Sequence, residues 1–307
     1  MTVTLTGSAA RAVPSQGTAP RPRPRRRVAP YLFVLPALLL FAVFKLYPIG
    51  RSFVISLHKT VGGTERFVGA DNYVRLLHDP LFWTALKNTA VILVVQVPVM
   101  LALATGLAVA LNSTLLRGRA VFRLGFFLPM VTGLVAYGII FSVLLNKDYG
   151  LVNWVLGLAG LDSVPWLTDP LWAKVSLGLA LTWHYTGYNA VILLARLQSV
   201  PAELYDAAAV DGAGAWTSFR HVTLPGLRPA LLLTTVLSTI GTLQIFDEPF
   251  VLTGGGPDNA TLTIGVYLYQ NAFKYFDFGY ASAIAYALAV LIGILGVIQF
   301  RFLGEKS

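Results

Sequence analysis

The side chains able to do chemistry are sparse, and their spacing restricts what that chemistry is. Four histidines, His58, His78, His184 and His221, lie far apart with no second ligand at metal spacing, so no metal site is indicated. The chain has no cysteine, which excludes disulfide frameworks, thiolate metal sites, iron–sulfur clusters and Cys nucleophiles. It has no Gly-Lys dipeptide to build a Walker A loop around nucleotide phosphates, and no Gly-x-Ser-x-Gly elbow to raise a nucleophilic serine. What remains suits binding. Trp183, Tyr188 and Asn189 fall within an unusually polar stretch of an apolar segment, and Gln244 and Asp247 stand three apart, a spacing that puts both on one face of a helix. Amides and carboxylates hold hydroxyl-rich ligands through paired hydrogen bonds, and aromatic rings cover their apolar faces. Two plainer roles stay open: hydrogen bonding between helices for the stretch around His184, and a solvated helix end for Asp247 and Glu248.

The elements that position these groups follow from composition. The 307 residues are 56% hydrophobic and 12% charged, with mean hydropathy +0.68 and net charge +9. That is the composition of a chain solvated by lipid. A spanning helix needs about 20 mainly apolar residues to cross about 30 Å of hydrocarbon. Six segments qualify, at about 31–57, 88–111, 124–146, 175–195, 229–252 and 279–300. Barrel-type alternation is absent, and backbone amides in lipid must be satisfied within their own segment, so the fold class is all-α. Lys45 and Arg51 in the first segment and Asp247 and Glu248 in the fifth are the charges to place near an interface or facing protein. The helix breakers Pro98, Pro129 and Gly133 sit inside segments, where they kink rather than bind.

Orientation follows from Lys and Arg. On the side of the termini lie Arg11, Arg21, Arg23, Arg25, Arg26, Arg27, Arg117, Arg119, Arg123, Arg196, Arg220, Arg228, Arg301 and Lys306. The opposite loops hold only Lys59, Arg66, Arg75, Lys147 and Lys274 clear of segment ends. Both termini are therefore expected in the cytoplasm. Residues 1–30 read as an extended Arg- and Pro-rich cytoplasmic tail, 31–303 as the membrane domain, and 304–307 as a cytoplasmic end. The basic tail is explained by topology and lipid phosphates, so no nucleic-acid partner is expected. The first apolar stretch is too long for a cleaved signal peptide. Gly69 to Pro80 reads as a short external helix with Asp71 as its cap and Pro80 ending it.

The loop from about Gln198 to Arg228 is too long and too patterned for a connector. Pro201 suits a first helical position, Glu203 complements the positive end of the helix, and Gly212 ends it where a positive φ is free. A second helix is expected from Ala215 to Leu224, stopped by Pro225. Leu204, Ala207 and Ala208 make one narrow face of mostly small side chains, flanked by Asp206 and Asp211, a shape that enters a groove on another protein.

The run Asp206-Ala207-Ala208-Ala209-Val210-Asp211-Gly212-Ala213, followed nine residues after Gly212 by Val222-Thr223-Leu224-Pro225, resembles the EAA loop of bacterial ABC importer permeases. The pattern there is Glu-Ala-Ala, three residues, Gly, nine residues, Ile, any residue, Leu-Pro; Asp206 stands for Glu and Val222 for Ile. Gly69 to Thr89 and Thr253 to Ala283 resemble the sugar-permease branch. The resemblance implies a type I importer permease of six helices in a bacterial inner membrane. It also implies that Glu203, Asp206, Ala207, Ala208, Asp211, Gly212, Ala213, Leu224 and Pro225 form a coupling loop seated in an ATPase cleft. The partners implied are a second homologous permease, a cytoplasmic ATPase dimer, an external solute-binding protein and membrane lipid. No cofactor is expected on this chain, since ATP is used by the partner subunit. The cargo implied is a sugar or oligosaccharide, with glycerol phosphate or another polyol as the alternative. An ion-driven secondary transporter would want intramembrane ion-binding carboxylates and repeated halves, and an intramembrane enzyme a catalytic pair at matching depth; neither is evident.

Overall fold

The computed structural model describes residues 29–61, 64–113 and 118–303. The Arg/Pro-rich tail before Ala29, Arg117, and the end at 304–307 lie outside the described residues. The chain divides into two units, Met1–Ile49 and Gly50–Ser307. In the first, helix α1 (Ala29–Phe41) continues into a π-helical turn, Ala42–Leu46, that carries Lys45. Helix α2 (Tyr47–Ser56) follows, and Leu32–Ser56 is helical and apolar over a length that can cross a membrane.

Within the second unit, which begins inside α2, strands β1 (His58–Val61) and β2 (Thr64–Phe67) form an antiparallel hairpin pairing His58 with Phe67. This hairpin is the exception to the all-α expectation. Helix α3 (Asp71–His78) is capped at Ala70, so Asp71 is its first helical residue, not its cap. Asp79 ends α3 and begins α4 (Pro80–Asn112), its carboxylate accepting from the Leu81 amide at 2.9 Å. Pro80 therefore opens a helix, because its missing N–H falls on a first-turn position that has no intrahelical partner. The second span is correspondingly longer than 88–111.

Helices α5 (Arg119–Val131) and α6 (Leu134–Leu144) meet at 98°, with Pro129 before and Gly133 at the break. The expected span 124–146 is thus a bent pair. After α7 (Leu151–Leu158) comes α8 (Pro170–Leu197), started by Asp169, which accepts from the Leu171 and Trp172 amides at 2.9 and 3.0 Å. Helix α8 is the centre of the unit, packed along α4, α5 and α11. Ala104, Ala108, Ala190 and Ala230 are buried where these helices meet, and such small side chains let apolar helices approach closely in lipid. At Gly187 the backbone of Phe126 comes so near that a Cβ would overlap its carbonyl.

The loop helix α9 (Ala202–Val210) begins one residue after Pro201, which serves as its cap. Helix α10 (Ala215–Ser218), a π-helical turn at Phe219–Thr223 and α11 (Leu224–Leu243) then run on as one helical stretch, Ala215–Leu243. Pro225 does not stop the second loop helix. The widened turn accommodates a residue without an N–H, and the proline falls in the first turn of α11. The expected span 229–252 is interrupted: α11 ends at Leu243 and α12 (Asp247–Thr253) restarts after a break. Helix α13 (Ile264–Tyr269) and α14 (Phe278–Leu303) complete the chain. Among the described residues, four helices are long and apolar enough to cross a membrane, or five with the bent pair counted as one span.

The end of the unit away from the loop is held by polar contacts. Tyr267 and Tyr280 both donate to the Asp79 carboxylate, Arg75 pairs with Asp277 at 2.6 Å, and the Arg75 guanidinium lies 3.9 Å from the Tyr280 ring centroid. Burial raises the Asp79 carboxyl, but the two hydroxyls and the Leu81 and Phe82 amides outweigh it and hold it below its ordinary value. Burial, and the carboxylate it donates to, push the Tyr267 hydroxyl up to about 12.

Candidate functional site

Two features account for the residues singled out by sequence: a cavity beside the break in the α11–α12 stretch, and the exposed loop at the opposite end of α11.

The break is made by competition for backbone groups. The Ile245 carbonyl, released from helical pairing, accepts from Thr263 Oγ1 at 2.9 Å, and Phe246 takes a non-helical conformation at φ −134°, ψ −52°. The chain re-enters a helix at Asp247. Beside this break lies a cavity of about 320 Å³, floored by α11 and α12 and walled by α4 and α8. Tyr188, Asn189, Gln244 and Asp247 all line it, as do Gln96, Ser238 and Thr242. Gln244 and Asp247 do not share the face of one helix, as three-residue spacing suggested; Gln244 caps the end of α11 in the break, Asp247 opens α12, and both still reach the same cavity.

Trp183 is not part of this lining. It is 45% exposed, with its ring near Tyr137 and Phe141 at centroid distances of 6.0 and 5.4 Å. His184 is buried and stacked on Tyr137 at 4.4 Å, and its Nδ1 has no hydrogen-bond partner among the described residues. Among the described residues this nitrogen makes no interhelical hydrogen bond.

Glu248, which by sequence could be a solvated helix end, is only 3% exposed and accepts from the Tyr185 hydroxyl at 3.3 Å. Both residues line the cavity. Sequence patterning passes over Gln96, although a single amide inside Ile-Leu-Val-Val-Gln-Val-Pro-Val-Met-Leu is a usable signal, since polar groups within spans normally face protein or water. It donates to Met100 Sδ at 3.4 Å. The polar lining is therefore three amides, hydroxyls and two carboxylates, with no Lys or Arg among the described residues. Such a surface can exchange paired hydrogen bonds with a neutral polyhydroxyl compound.

At the other end, α9 has no buried residue. Glu203 lies in its first turn, and Glu203, Asp206, Ala207 and Asp211 are exposed. Gly212 adopts φ +75°, with its amide on the Ala209 carbonyl at 3.1 Å and the Ala213 amide on the Ala208 carbonyl at 2.9 Å. These paired bonds form a Schellman motif, which explains the glycine. Leu204, Ala207, Ala208, Asp211, Gly212 and Ala213 border a surface depression of about 480 Å³. Leu224 and Pro225 stand apart, at the foot of α11.

Tyr205 of α9, Arg196 of α8 and Val200 between the two helices fasten the loop to that foot. Tyr205 Oη lies 3.1 Å from Thr223 Oγ1, Arg196 Nε donates to the Gly226 carbonyl at 2.9 Å, and Val200 packs against Gly226 so closely that a Cβ there would lie 2.9 Å from its methyl.

Comparison with known proteins gives this geometry a context. Residues 27–304 match the model of the binding-protein-dependent transport system inner membrane component family. The lactose transport system permease protein LacF of Rhizobium radiobacter is 46% identical over 282 residues, covering 90% of this chain and 94% of that protein. The sulfoquinovosyl glycerol transport system permease protein SmoG of Agrobacterium fabrum is 34% identical, covering 92% of both. The arabinooligosaccharides transport system permease protein AraP of Halalkalibacterium halodurans is 36% identical, covering 91% of this chain and 89% of that protein. In structure, the chain is similar to one from a bacterial ABC transporter involved in the import of the acidic polysaccharide alginate, with TM-score 0.81, 23% identity, and coverage of 92% of this chain and 97% of that one. That likeness establishes the helical type I importer permease fold. The chain belongs to the binding-protein-dependent transport system inner membrane components, the membrane-embedded permease subunits of ABC importers.

Proposed function

We propose that this chain is one of two permease subunits of an importer for a neutral sugar or oligosaccharide. An external solute-binding protein delivers the cargo, and a cytoplasmic ATPase dimer drives its passage. The similar permeases named for lactose and arabinooligosaccharide transport support a saccharide cargo. The cavity supports a neutral one, because a phosphorylated polyol would want a cation and, among the described residues, no Lys or Arg lines it.

In this reading six spans cross the membrane: Leu32–Ser56, α4, the bent pair α5–α6, α8, the stretch Ala215–Leu243, and α14. Both termini and the loop of Glu203, Asp206, Ala207, Ala208, Asp211, Gly212 and Ala213 face the cytoplasm, in keeping with the Lys and Arg distribution. The loop docks on the ATPase. This chain binds no cofactor, and ATP is bound and hydrolysed by the partner.

The observation that carries the proposal is the continuity of Ala215–Leu243. One helical stretch starts in the exposed loop, is fastened there by Thr223 and Gly226, and ends with Ser238, Thr242 and then Gln244 at the cavity. A displacement applied to the loop reaches the binding groups through a rigid element. The test is purification from native membranes in mild detergent, identification of the accompanying chains, and measurement of ATP hydrolysis with neutral saccharides and the binding protein. A second permease and an ATPase whose turnover responds to sugar are expected. Recovery of the chain alone from a stable preparation overturns the proposal.

A further inference from the structure

Helix α7 is eight residues long, Leu-Val-Asn-Trp-Val-Leu-Gly-Leu, and carries no charge. Its two sides differ sharply. Leu151, Trp154, Val155 and Leu158 recur at i, i+3, i+4 and i+7, the spacing of a single helix face, and are 53, 62, 51 and 70% exposed. On the other side Asn153 is buried and fully engaged. Its Nδ2 donates to the carbonyls of Lys147 at 3.0 Å and Val164 at 2.9 Å, and its Oδ1 accepts from the Val164 amide at 3.1 Å and Trp166 Nε1 at 2.9 Å.

These bonds fix the level of the helix. Trp166, held by Asn153, has its carbonyl on Ser176 Oγ at 2.9 Å, so α7 is fastened beside the first two turns of α8. At about 1.5 Å per residue, Ser176 lies roughly 9 Å along a helix of about 42 Å, close to the full thickness of a bilayer with its headgroups. At the other end Gly150 is pressed onto the last residue of α6, where a Cβ would lie 2.6 Å from the Leu144 carbonyl. Helix α7 is therefore pinned to the ends of two elements at the level of the headgroups, on the side opposite the coupling loop, with its apolar face left outward.

We propose that α7 is an interfacial helix whose Leu151, Trp154, Val155 and Leu158 face is immersed at the headgroup–acyl boundary of the bilayer. The proposal rests on the assignment of α8 as a membrane span. Four apolar side chains with a central tryptophan match the requirement for shallow insertion of an amphipathic helix. They are too few for a stable protein interface, which takes about 20–30 residues a side. The exposed Tyr149 and Leu161, at 74 and 59%, extend the same margin.

This chain contributes no native cysteine to compete for the label. Single variants Leu151→Cys and Leu158→Cys, with Asp162→Cys as an aqueous reference and Leu179→Cys as a reference within α8, are spin-labelled in the assembled importer. The complex is placed in nanodiscs of phosphatidylethanolamine and phosphatidylglycerol, and collision rates with oxygen and with a water-soluble nickel chelate are compared. Labels at 151 and 158 are expected to favour oxygen over nickel at least about fivefold relative to the label at 162, at a depth of about 5–10 Å. Nickel access at 158 equal to that at 162 overturns the proposal in favour of a water-facing helix. Shielding of 151 and 158 from both reagents overturns it in favour of coverage by another subunit or the external protein. Nickel access at 179 overturns the α8 span itself, a failure distinguishable from the others.

Discussion

Tyr205 Oη and Thr223 Oγ1 stand 3.1 Å apart, joining the middle of the exposed loop helix to the foot of the helical stretch that ends at the cavity. Thr223 is buried and Tyr205 half-buried, so the contact ties an accessible element to one inside the bundle. If the loop transmits force, this pair is one of its joints. Removing the hydroxyl in Tyr205→Phe forfeits about 1 kcal/mol, roughly a fivefold change between competing arrangements. Transport is expected to fall several-fold while ATP hydrolysis persists, measured as the ratio of sugar taken up to ATP consumed.

Gly212 is required by conformation and not by space. Its φ is +75° and nothing among the described residues lies within 4 Å of the point where a Cβ would stand, so a side chain meets no obstacle there but is held in the left-handed region. The penalty there is about 1–2 kcal/mol for most residues and less for Asn. Gly212→Val should abolish coupled uptake with membrane insertion unchanged, whereas Gly212→Asn should retain most of it. Equal activity of the two variants would count against the helix-ending role.

Gln244 and Asp247 line one cavity and Trp183 does not. Each hydrogen bond to a bound saccharide is worth about 1 kcal/mol, and about 1.5–3 kcal/mol when one partner is charged. Gln244→Ala is expected to weaken sugar-dependent ATP hydrolysis by about fivefold, and Asp247→Asn by about tenfold or more. Trp183→Phe should leave the apparent affinity for sugar unchanged. Titration of ATP hydrolysis against saccharide concentration in nanodiscs separates the three.

The Asp79 cluster has a defined pH dependence. The folded-state pKa lies below the ordinary value of 3.8, so the carboxylate's contribution is complete above that value and is lost as pH falls through the lower folded-state value. Asp79→Asn, which cannot accept as a charge from Tyr267 and Tyr280, should lower the melting temperature at pH 7 by about 2–4 °C per kcal/mol lost. The difference between the variant and the parent should be complete above pH 3.8 and shrink as pH falls below it, read from melting curves taken on both sides of that value.

The solvent of this chain and its exposed loop helix were legible in the order of residues alone. Long apolar runs can be satisfied in lipid only as helices, and the spacing from Asp206 through Gly212 to Pro225 survives as a helix closed by a Schellman turn, because both follow from local rules of backbone hydrogen bonding. Boundaries followed less well: Pro80 and Pro225 read as stops yet sit in first turns, because a proline ends one helix and begins another by the same missing N–H. The cavity, by contrast, exists only through tertiary contacts. The break at Gln244–Phe246 depends on Thr263 catching the Ile245 carbonyl from 18 residues away, and no periodicity within 229–252 encodes that partner. The same contact across the chain turned Gln244 and Asp247 toward Tyr188 and Asn189, while the packing of Tyr137 and Phe141 kept Trp183 away from them. Residue types and spacing mark which groups can bind; which of them meet is set by contacts between segments far apart in sequence.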